Sequence, residues 1–331
     1  MGDILHWLEE QKEYPKFFFR DRDTGKNLAA AGVGGSGDLQ VGAYTFSGVP
    51  SMFSPQHVRD DYGDIRPADL QIPYLSRKDT PTKAEWIQLV EQTLCNIEQR
   101  NFDKVVLARK TTLELQKSVS PYELLRYLCN RAKRATCFLL ETSPGIAFLG
   151  ATPEKLFSRR GNQIIVEAVA GTCPIGGILG EKERREFLFV KEFIEEKLKP
   201  LSSHFSWEND RIIETTKVQH FFSRCLANLK ESIPDKDLIT LLHPTPAMAG
   251  LPQKEALEHL KNHEPFERGW YAAPLGWMRP EEASFAVGIR CAEITPQEVH
   301  LFAGAGIVEG SEPEKEWDEL ELKISQYMRQ S

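Results

Sequence analysis

Residues 136–168 read TCFLLETSPGIAFLGATPEKLFSRRGNQIIVEA, a stretch with four short apolar runs and two turn signals. The turn signals are the dipeptides Pro144-Gly145 and Gly161-Asn162. Short apolar runs at this spacing predict consecutive strands of an antiparallel meander. The four predicted strands are Thr136–Glu141, Ile146–Gly150, Lys155–Arg159 and Gln163–Ala168.

Helical patterns and further strands lie on both sides of this meander. The segment Ser120-Pro121-Tyr122-Glu123 has the form of a capping box, and Thr80-Pro81 supplies a similar helix start. Helices are predicted at about 81–100, 121–134, 180–199, 220–230, 235–242, 252–262 and from Ser311 to about 329. Further strands are predicted at about 16–20, 104–115, 211–218, 283–294 and 297–303. Runs of strands without regular βαβ alternation favour the α+β class, with large antiparallel sheets and helices on their outer faces.

Composition excludes several classes of protein. The chain has 331 residues, a formal net charge of -7 and 41% hydrophobic residues, which is typical of a globular protein with a substantial core. No basic stripe is present to attract nucleic acid, and no apolar run approaches the roughly 20 residues that span a bilayer. The N-terminus, Met1–His6, lacks a leader pattern, and the six cysteines form no C-x-x-C pair. We therefore expect a cytoplasmic protein with reduced thiols, no nucleic-acid partner and no membrane association.

The domain organisation predicted from the sequence is a single structural domain. Residues 32–80 are rich in Gly, Ser, Pro and Asp and are the most loop-like part of the chain. A soft boundary near Thr80 separates a short N-terminal part, 1–79, from a core, 80–331. No linker divides the chain into halves, and a monomer is the expected oligomeric state.

One glycine-rich segment formally fits a nucleotide-binding pattern. Gly32–Gly37 satisfies G-x-G-x-x-G, but the following residues carry no helical period. A pyrophosphate site of this kind needs a helix N-terminus directly after the glycines. A flexible turn is the better interpretation, and a dinucleotide site is rejected.

Paired carboxylates provide a stronger chemical signal. Glu183 and Glu186 are three residues apart on one predicted helix, and Glu316 and Glu319 are three apart on the last. This spacing puts the members of each pair on one helical face. Four carboxylates brought together would need a cation, and Mg²⁺ prefers oxygen ligands. On spacing alone, two solvated helix faces remain the simpler interpretation.

Two further residues could act as an acid and a base. Lys104 opens an apolar strand, where loss of hydration would favour its neutral amine form, although a strand-end lysine in solvent is the ordinary alternative. Glu154 follows a strand and a turn, where burial would favour a protonated carboxyl. Each signal is weak by itself.

Small and basic residues near the C-terminus could hold a carboxylate ligand. Ala303–Ile307 permits close backbone approach, which serves a ligand or tight packing equally well. Arg290 could clamp a carboxylate or form a structural ion pair. Lys323 lies four residues after Glu319, so an i,i+4 ion pair is the simpler explanation there.

Taken in order, ten segments resemble the chorismate-utilising enzyme family. The resemblance spans about residue 80 to the C-terminus, and the N-terminal part is shorter than is usual in the family. The segments are Phe102–Arg109, Gly150–Glu154, Glu167–Thr172, Glu183–Glu186, Val218–His220, Leu242–Ala247, Arg268–Tyr271, Ile289–Ala292, Ala303–Val308 and Pro313–Lys323.

The resemblance implies a fold, a substrate and a mechanism. It implies an α+β sandwich that acts on chorismate with Mg²⁺ as cofactor. By the family's motif, Lys104 is the general base that activates water for attack at ring C2, and Glu154 is the general acid that protonates the departing C4 hydroxyl. Isochorismate is the implied product. A free amine facing a neutral carboxylic acid is the complementary pair that such a displacement needs.

The resemblance also implies which residues hold the metal and the substrate. The implied metal ligands are Glu186 and Glu319, supported by Glu183 and Glu316. The implied substrate-binding residues are Gly171, Thr172, His220, Thr245, Tyr271, Arg290, Gly304, Gly306 and Lys323.

Two positions distinguish branches of the family. Lys104 is unlike the Gln of anthranilate synthase, and Ala170 is unlike the Lys of aminodeoxychorismate synthase, so water is the expected nucleophile. Salicylate synthase shares Lys104 and Glu154 and is the alternative, because it makes isochorismate before eliminating pyruvate. A catalytically silent binding subunit is the competing class, which retention of both residues disfavours.

Overall fold

The computed structural model describes residues 3–132, 134–215 and 218–328. Outside the described residues lie 1–2, 133, 216–217 and 329–331. The first two belong to the predicted segment 1–79, and the others belong to the predicted segment 80–331. The strands are β1 (Lys16–Arg20), β2 (Asn27–Val33), β3 (Gln40–Tyr44), β4 (Pro50–Phe53), β5 (Pro55–Asp61), β6 (Tyr74–Thr80), β7 (Lys104–Leu115), β8 (Thr136–Ser143), β9 (Ile146–Thr152), β10 (Lys155–Arg160), β11 (Gln163–Pro174), β12 (Ser202–Trp207), β13 (Arg211–Glu214), β14 (Val218–Leu229), β15 (Gly250–Leu251), β16 (Pro274–Arg279), β17 (Glu282–Val287), β18 (Cys291–Ile294) and β19 (Glu298–Val308).

Two of the predicted helices begin at a residue whose side chain caps the first turn. Ser120 accepts the amide hydrogen of Glu123 at 3.3 Å, as its predicted capping box requires. The preceding long helix is capped by Thr82 rather than by the predicted Thr80, because Thr82 and Glu85 form the reciprocal capping box. The helices are α1 (Ile4–Glu10), α2 (Lys83–Glu98), α3 (Pro121–Arg131), α4 (Glu181–Leu198), α5 (Asp235–Leu242), α6 (Gln253–His263) and α7 (Pro313–Ile324).

The described strands form two antiparallel sheets. Ten of them make the first sheet, in the order β15-β7-β19-β18-β9-β8-β1-β2-β5, with β6 also paired to β7. Nine make the second, in the order β12-β14-β11-β10-β17-β16-β3-β4, with β13 also paired to β14. The predicted α+β class with large antiparallel sheets is confirmed.

Two hydrophobic cores hold these layers together. Consecutive residues of β1 point to opposite sides, since Phe17 and Phe19 join the core shared by the two sheets while Phe18 joins the other core. That other core packs the first sheet against Trp86 of α2 and Leu320 of α7. Helices α4 and α5 contribute to the core shared by the sheets. The layers therefore form the predicted sandwich.

The four meander strands exist, but they do not form one meander. Strands β8 and β9 pair in the first sheet, whereas β10 and β11 pair in the second. The chain crosses between sheets at Pro153-Glu154. The predicted strand 283–294 is likewise split into β17 of the second sheet and β18 of the first. The break falls at 288–290, where Arg290 has a left-handed φ of 49°.

The two crossovers are bonded to each other. The amide of Val287 donates to the carbonyl of Glu154 at 3.0 Å, and the amide of Ala151 donates to the carbonyl of Arg290 at 3.1 Å. Each crossover thus delivers one ionisable side chain, Glu154 or Arg290, to the same cleft.

Two other expectations are wrong. The predicted helix at 220–230 is instead part of β14, which pairs with β11 along its length and with β12 and β13 on its other side. The loop-like region 32–80 contains β3, β4, β5 and β6. In both cases hydrogen bonds to strands distant in sequence override the local pattern.

Across the ranges that the structure describes, no helix is both long and apolar enough to cross a bilayer.

Candidate active site

An open cleft lies where the two crossovers meet. Its wall is built from β7, β11, β14 and β19, from both crossovers and from the helices α4 and α7. Fourteen of the predicted site residues line it: Lys104, Glu154, Gly171, Thr172, Glu183, Glu186, His220, Tyr271, Arg290, Gly304, Gly306, Glu316, Glu319 and Lys323.

Thr245 is the predicted site residue that does not line this cleft. It is buried, and its carbonyl accepts the amide hydrogens of Met248 and Ala249 at 2.9 and 3.0 Å. Met248 does line the cleft. The structure therefore gives Thr245 a role in shaping the loop behind the wall.

Lys104 lies at the start of β7, with its side chain turned into the cleft. It is only 2% exposed, and its Nζ is 3.0 Å from Oε1 of Glu186 on α4. Gly306 of β19 faces the same pair, because a Cβ added there would lie 2.1 Å from Oε1 of Glu186 and 2.9 Å from Cε of Lys104. The absence of a side chain at Gly306 makes room for the ion pair.

Replacing Gly306 with alanine should displace Lys104 and Glu186 and lower kcat at least about tenfold, because small misplacements of reacting groups are costly. Steady-state kinetics would measure this effect. Gly37→Ala is the matched control, since a Cβ at Gly37 meets nothing within 4 Å. Unchanged kinetics in the Gly306 variant would show that the ion pair does not need its present position.

Glu154 lies on the crossover between β9 and β10 and is 5% exposed. Its main chain is fixed, because its amide donates to Oγ1 of Thr152 at 3.2 Å and its carbonyl accepts from Val287. Burial, followed by the charge of Glu167, raises the pKa of Glu154 from its ordinary 4.5 to about 8, against the opposing charges of Lys104 and Arg22. Glu154 is therefore a protonated acid at neutral pH.

The four predicted metal-binding carboxylates come from two helices, and three of them pair with a lysine. Besides the Lys104–Glu186 pair, Nζ of Lys182 is 2.7 Å from Oε1 of Glu316, and Nζ of Lys323 is 2.5 Å from Oε1 of Glu319. Burial raises the pKa of Glu316, and the nearby charge of Glu319 adds to this. The cluster therefore depends on positive charge.

Lys182 interacts with more of these carboxylates than its single ion pair shows. Burial acts to lower its pKa, but the carboxylates of Glu316, Glu186 and Glu319 together raise it above the usual value. One ammonium group thus interacts with three of the four carboxylates. Residues 3–132, 134–215 and 218–328 contain no preformed group of three or more His, Cys, Asp or Glu side chains that could hold a metal ion. Because an ammonium group already neutralises carboxylates from both helices, the donor set fits a cation.

Gly171 brings helix α4 against β11. It has a left-handed φ of 68° and lies at a shift in the register between β11 and β14. A Cβ at this position would lie 2.4 Å from the carbonyl oxygen of Glu183. The bulge therefore lets the first turn of α4 approach the sheet, where Oε2 of Glu183 accepts the amide hydrogen of Gly180 at 2.8 Å.

His220 contributes a neutral imidazole to the cleft. Its Nδ1 is 3.1 Å from Oγ1 of Thr172 across the β11–β14 pair. Burial, and then the charges of Arg290 and Lys323, lower its pKa to about 3. Nε2 is buried and has no hydrogen-bond partner within the described residues, so it can bond a ligand.

Tyr271 and Arg290 form a further part of the wall. The Tyr271 ring stacks on Phe302 with centroids 5.1 Å apart, and a Cβ at Gly304 would lie 2.7 Å from its hydroxyl oxygen. Burial raises the pKa of Tyr271 above its usual range, so its hydroxyl keeps its proton. The buried guanidinium of Arg290 supplies positive charge beside it. Together they can bind a carboxylate.

Two contributors to the site were not singled out from the sequence. Lys182 is one of many charged residues on α4. Glu167 begins the family-like segment Glu167–Thr172, but the resemblance implies no role for it. The signal available for Glu167 was its position as a carboxylate within the apolar run Ile164–Ala170. Lys182 carried no such signal.

Comparisons with known proteins agree with this geometry. The profile of the family described as "Chorismate binding enzyme" matches residues 58–330. Isochorismate synthase MenF of Haemophilus influenzae is 31% identical, over 98% of this chain and 88% of that protein. Isochorismate synthase MenF of Pasteurella multocida is 37% identical, over 97% and 88%. The solved structure of MenF, the menaquinone-specific isochorismate synthase from Escherichia coli, superimposes with a TM-score of 0.90 at 26% identity, covering 99% of this chain and 92% of that one.

Proposed function

This chain belongs to the chorismate-binding enzyme family, and from that premise we propose that it is an isochorismate synthase. The observation that supports the proposal best is the pairing in one cleft of Lys104 with Glu154, whose raised pKa of about 8 keeps it protonated at neutral pH. The relatives named above as isochorismate synthases cover most of this chain.

Lys104 and Glu154 divide the proton transfers of the reaction. Lys104 accepts a proton from the water that attacks C2 of the chorismate ring. Glu154 donates its proton to the C4 hydroxyl, which leaves as water while the ring double bonds shift. One water is added and one is lost, so chorismate and isochorismate are isomers. Glu154 suits its role because its acid form persists to about pH 8.

We further propose Mg²⁺ as the cofactor, held by Glu183, Glu186, Glu316 and Glu319. When bound, it would neutralise these carboxylates and bind the ring carboxylate of the substrate. Glu186, which pairs with Lys104 at 3.0 Å, would then be shared between the ion and the proposed base.

The remaining polar residues would hold the two carboxylates of chorismate. Tyr271 and Arg290 would bind the enolpyruvyl carboxylate, because a protonated hydroxyl and a guanidinium are suitable donors. Lys323 donates to the carbonyl of Gly304 at 2.7 Å, and this pair, with Gly306, would border the ring carboxylate. His220 would offer its free Nε2, and Gly171 with Thr172 would line the cleft.

Product identification tests the function directly. The full chain is incubated with chorismate and Mg²⁺, and the products are separated by chromatography. Isochorismate is the expected product. Salicylate together with pyruvate would instead identify a salicylate synthase, and unchanged chorismate would favour a binding subunit.

The pH dependence of kcat/KM should have a basic limb near pH 8. Glu154 donates a proton only while it is protonated, which holds below its pKa, so activity should fall as pH rises through about 8. An ordinary exposed glutamic acid would lose activity above about pH 4.5 instead. Kinetics across this range would measure the limb, and a constant rate well above pH 8 would contradict the acid role.

A further inference from the structure

Glu167 is a buried carboxylate on β11, outside the acid and base of the proposed mechanism. Its side chain is fully buried, and two arginines bind it. The guanidinium of Arg22 donates to Oε2, and Nε of Arg224 donates to Oε1 at 3.0 Å. A carboxylate held by two guanidinium groups keeps its negative charge inside the protein.

Arg22, one of the two arginines that bind Glu167, also binds the crossover that carries Glu154. Nη1 of Arg22 donates to the carbonyl of Pro153, the residue before Glu154. One guanidinium group therefore links the charge of Glu167 to the backbone of the crossover.

Electrostatics give this arrangement a consequence for Glu154. After burial, the charge of Glu167 is the largest influence that raises the pKa of Glu154, while Lys104 and Arg22 act in the opposite direction. The charged groups that act on Glu154 come from three elements: Lys104 from β7, Arg22 from the turn after β1, and Glu167 from β11. A like charge close to a carboxyl favours its neutral form.

We propose that Glu167 is a positioning residue for the reaction, because its negative charge keeps the carboxyl of Glu154 in its acid form. Arg22 anchors the crossover that carries Glu154 by binding both Glu167 and the carbonyl of Pro153. The inference rests on the proposed function, because a neutral Glu154 matters only if it donates a proton. It extends that function because Glu167, which does not line the cleft, would help to keep Glu154 protonated.

The test is an infrared titration of the substrate-free protein. The carbonyl stretch of protonated Glu154 is assigned as the band that Glu154→Gln removes. Glu167→Gln should move its titration to lower pH by roughly one unit, because a like charge is lost. Arg22→Gln should move it to higher pH, because an opposing positive charge is lost while Arg224 still holds Glu167. A loss of packing would not give opposite signs.

Asp235→Asn is the matched control. Asp235 is also a buried carboxylate bound by an arginine, with Nε of Arg159 at 2.6 Å, but it does not face Glu154. Its replacement should leave the titration in place. The basic limb of kcat/KM should move with the infrared titration in each variant.

The outcomes separate this inference from the proposed function. If neither Glu167→Gln nor Arg22→Gln moves the titration, the inference is overturned. If Glu167→Gln does not fold, an unmoved titration in Arg22→Gln has the same meaning. A wild-type protein that makes no isochorismate would instead overturn the proposed function, while the infrared result would still report on Glu154.

Discussion

Replacing Lys104 with alanine should lower kcat by about three orders of magnitude and leave the fold intact. A positioned general base contributes roughly 10²- to 10⁴-fold to the rate. Lys104 lines the same cleft as Glu154, and it is almost fully buried. Single-turnover assays of isochorismate formation would measure the loss, and circular dichroism would check the fold.

Two companion variants sharpen this prediction. Lys104→Arg keeps a positive charge beside Glu186 but cannot lose its proton near neutral pH, so it should be as inactive as the alanine variant. Lys110→Ala removes a lysine from the same strand, where its Nζ lies over the ring of Phe266, and should keep activity. High activity in Lys104→Arg would mean that the position supplies charge and not a base.

Removal of Mg²⁺ by EDTA should abolish turnover, and added Mg²⁺ should restore it. The reason is that four carboxylates line the cleft and need a cation beyond their lysine partners to bind a dianionic substrate. Glu319→Gln removes one of the proposed ligands and should lower activity at least about 100-fold. Isothermal titration with Mg²⁺ alone would show directly whether this variant loses the ion.

The neighbouring residue provides the control for the metal prediction. Asp318 is an exposed carboxylate on the same helix, so Asp318→Asn changes the charge of α7 by the same amount. It should bind Mg²⁺ like the wild type. Equal binding by both variants, or full turnover in EDTA, would contradict the metal assignment.

Local patterns predicted the elements whose stabilising contacts are close in sequence. The N-cap at Ser120 and the turn at Gly161-Asn162 appear where the sequence indicates them, because their hydrogen bonds join nearby residues. Residues 220–230, nearly all of which belong to β14, were predicted as a helix, because a short apolar run fits both periods. Its pairing with β11 resolved that ambiguity.

The same limit applies to the crossovers. Nothing local separates residues 136–168 into two hairpins of different sheets, or splits the predicted strand 283–294 at Arg290. These breaks depend on strand partners far along the chain, such as β18 for β9. They also place Glu154 and Arg290 beside the cleft.

By itself, the sequence identified candidate residues that the structure brings together in one cleft, from the pairs of carboxylates at helical spacing to the lysine that opens an apolar strand. Only the tertiary structure decided which charges are neighbours. Arg22 and Glu167 are 145 residues apart in sequence yet share a hydrogen bond, and Lys182 reaches Glu316 across 134 residues. The physical reason is that electrostatic interactions depend on distance through space, which a local pattern does not contain.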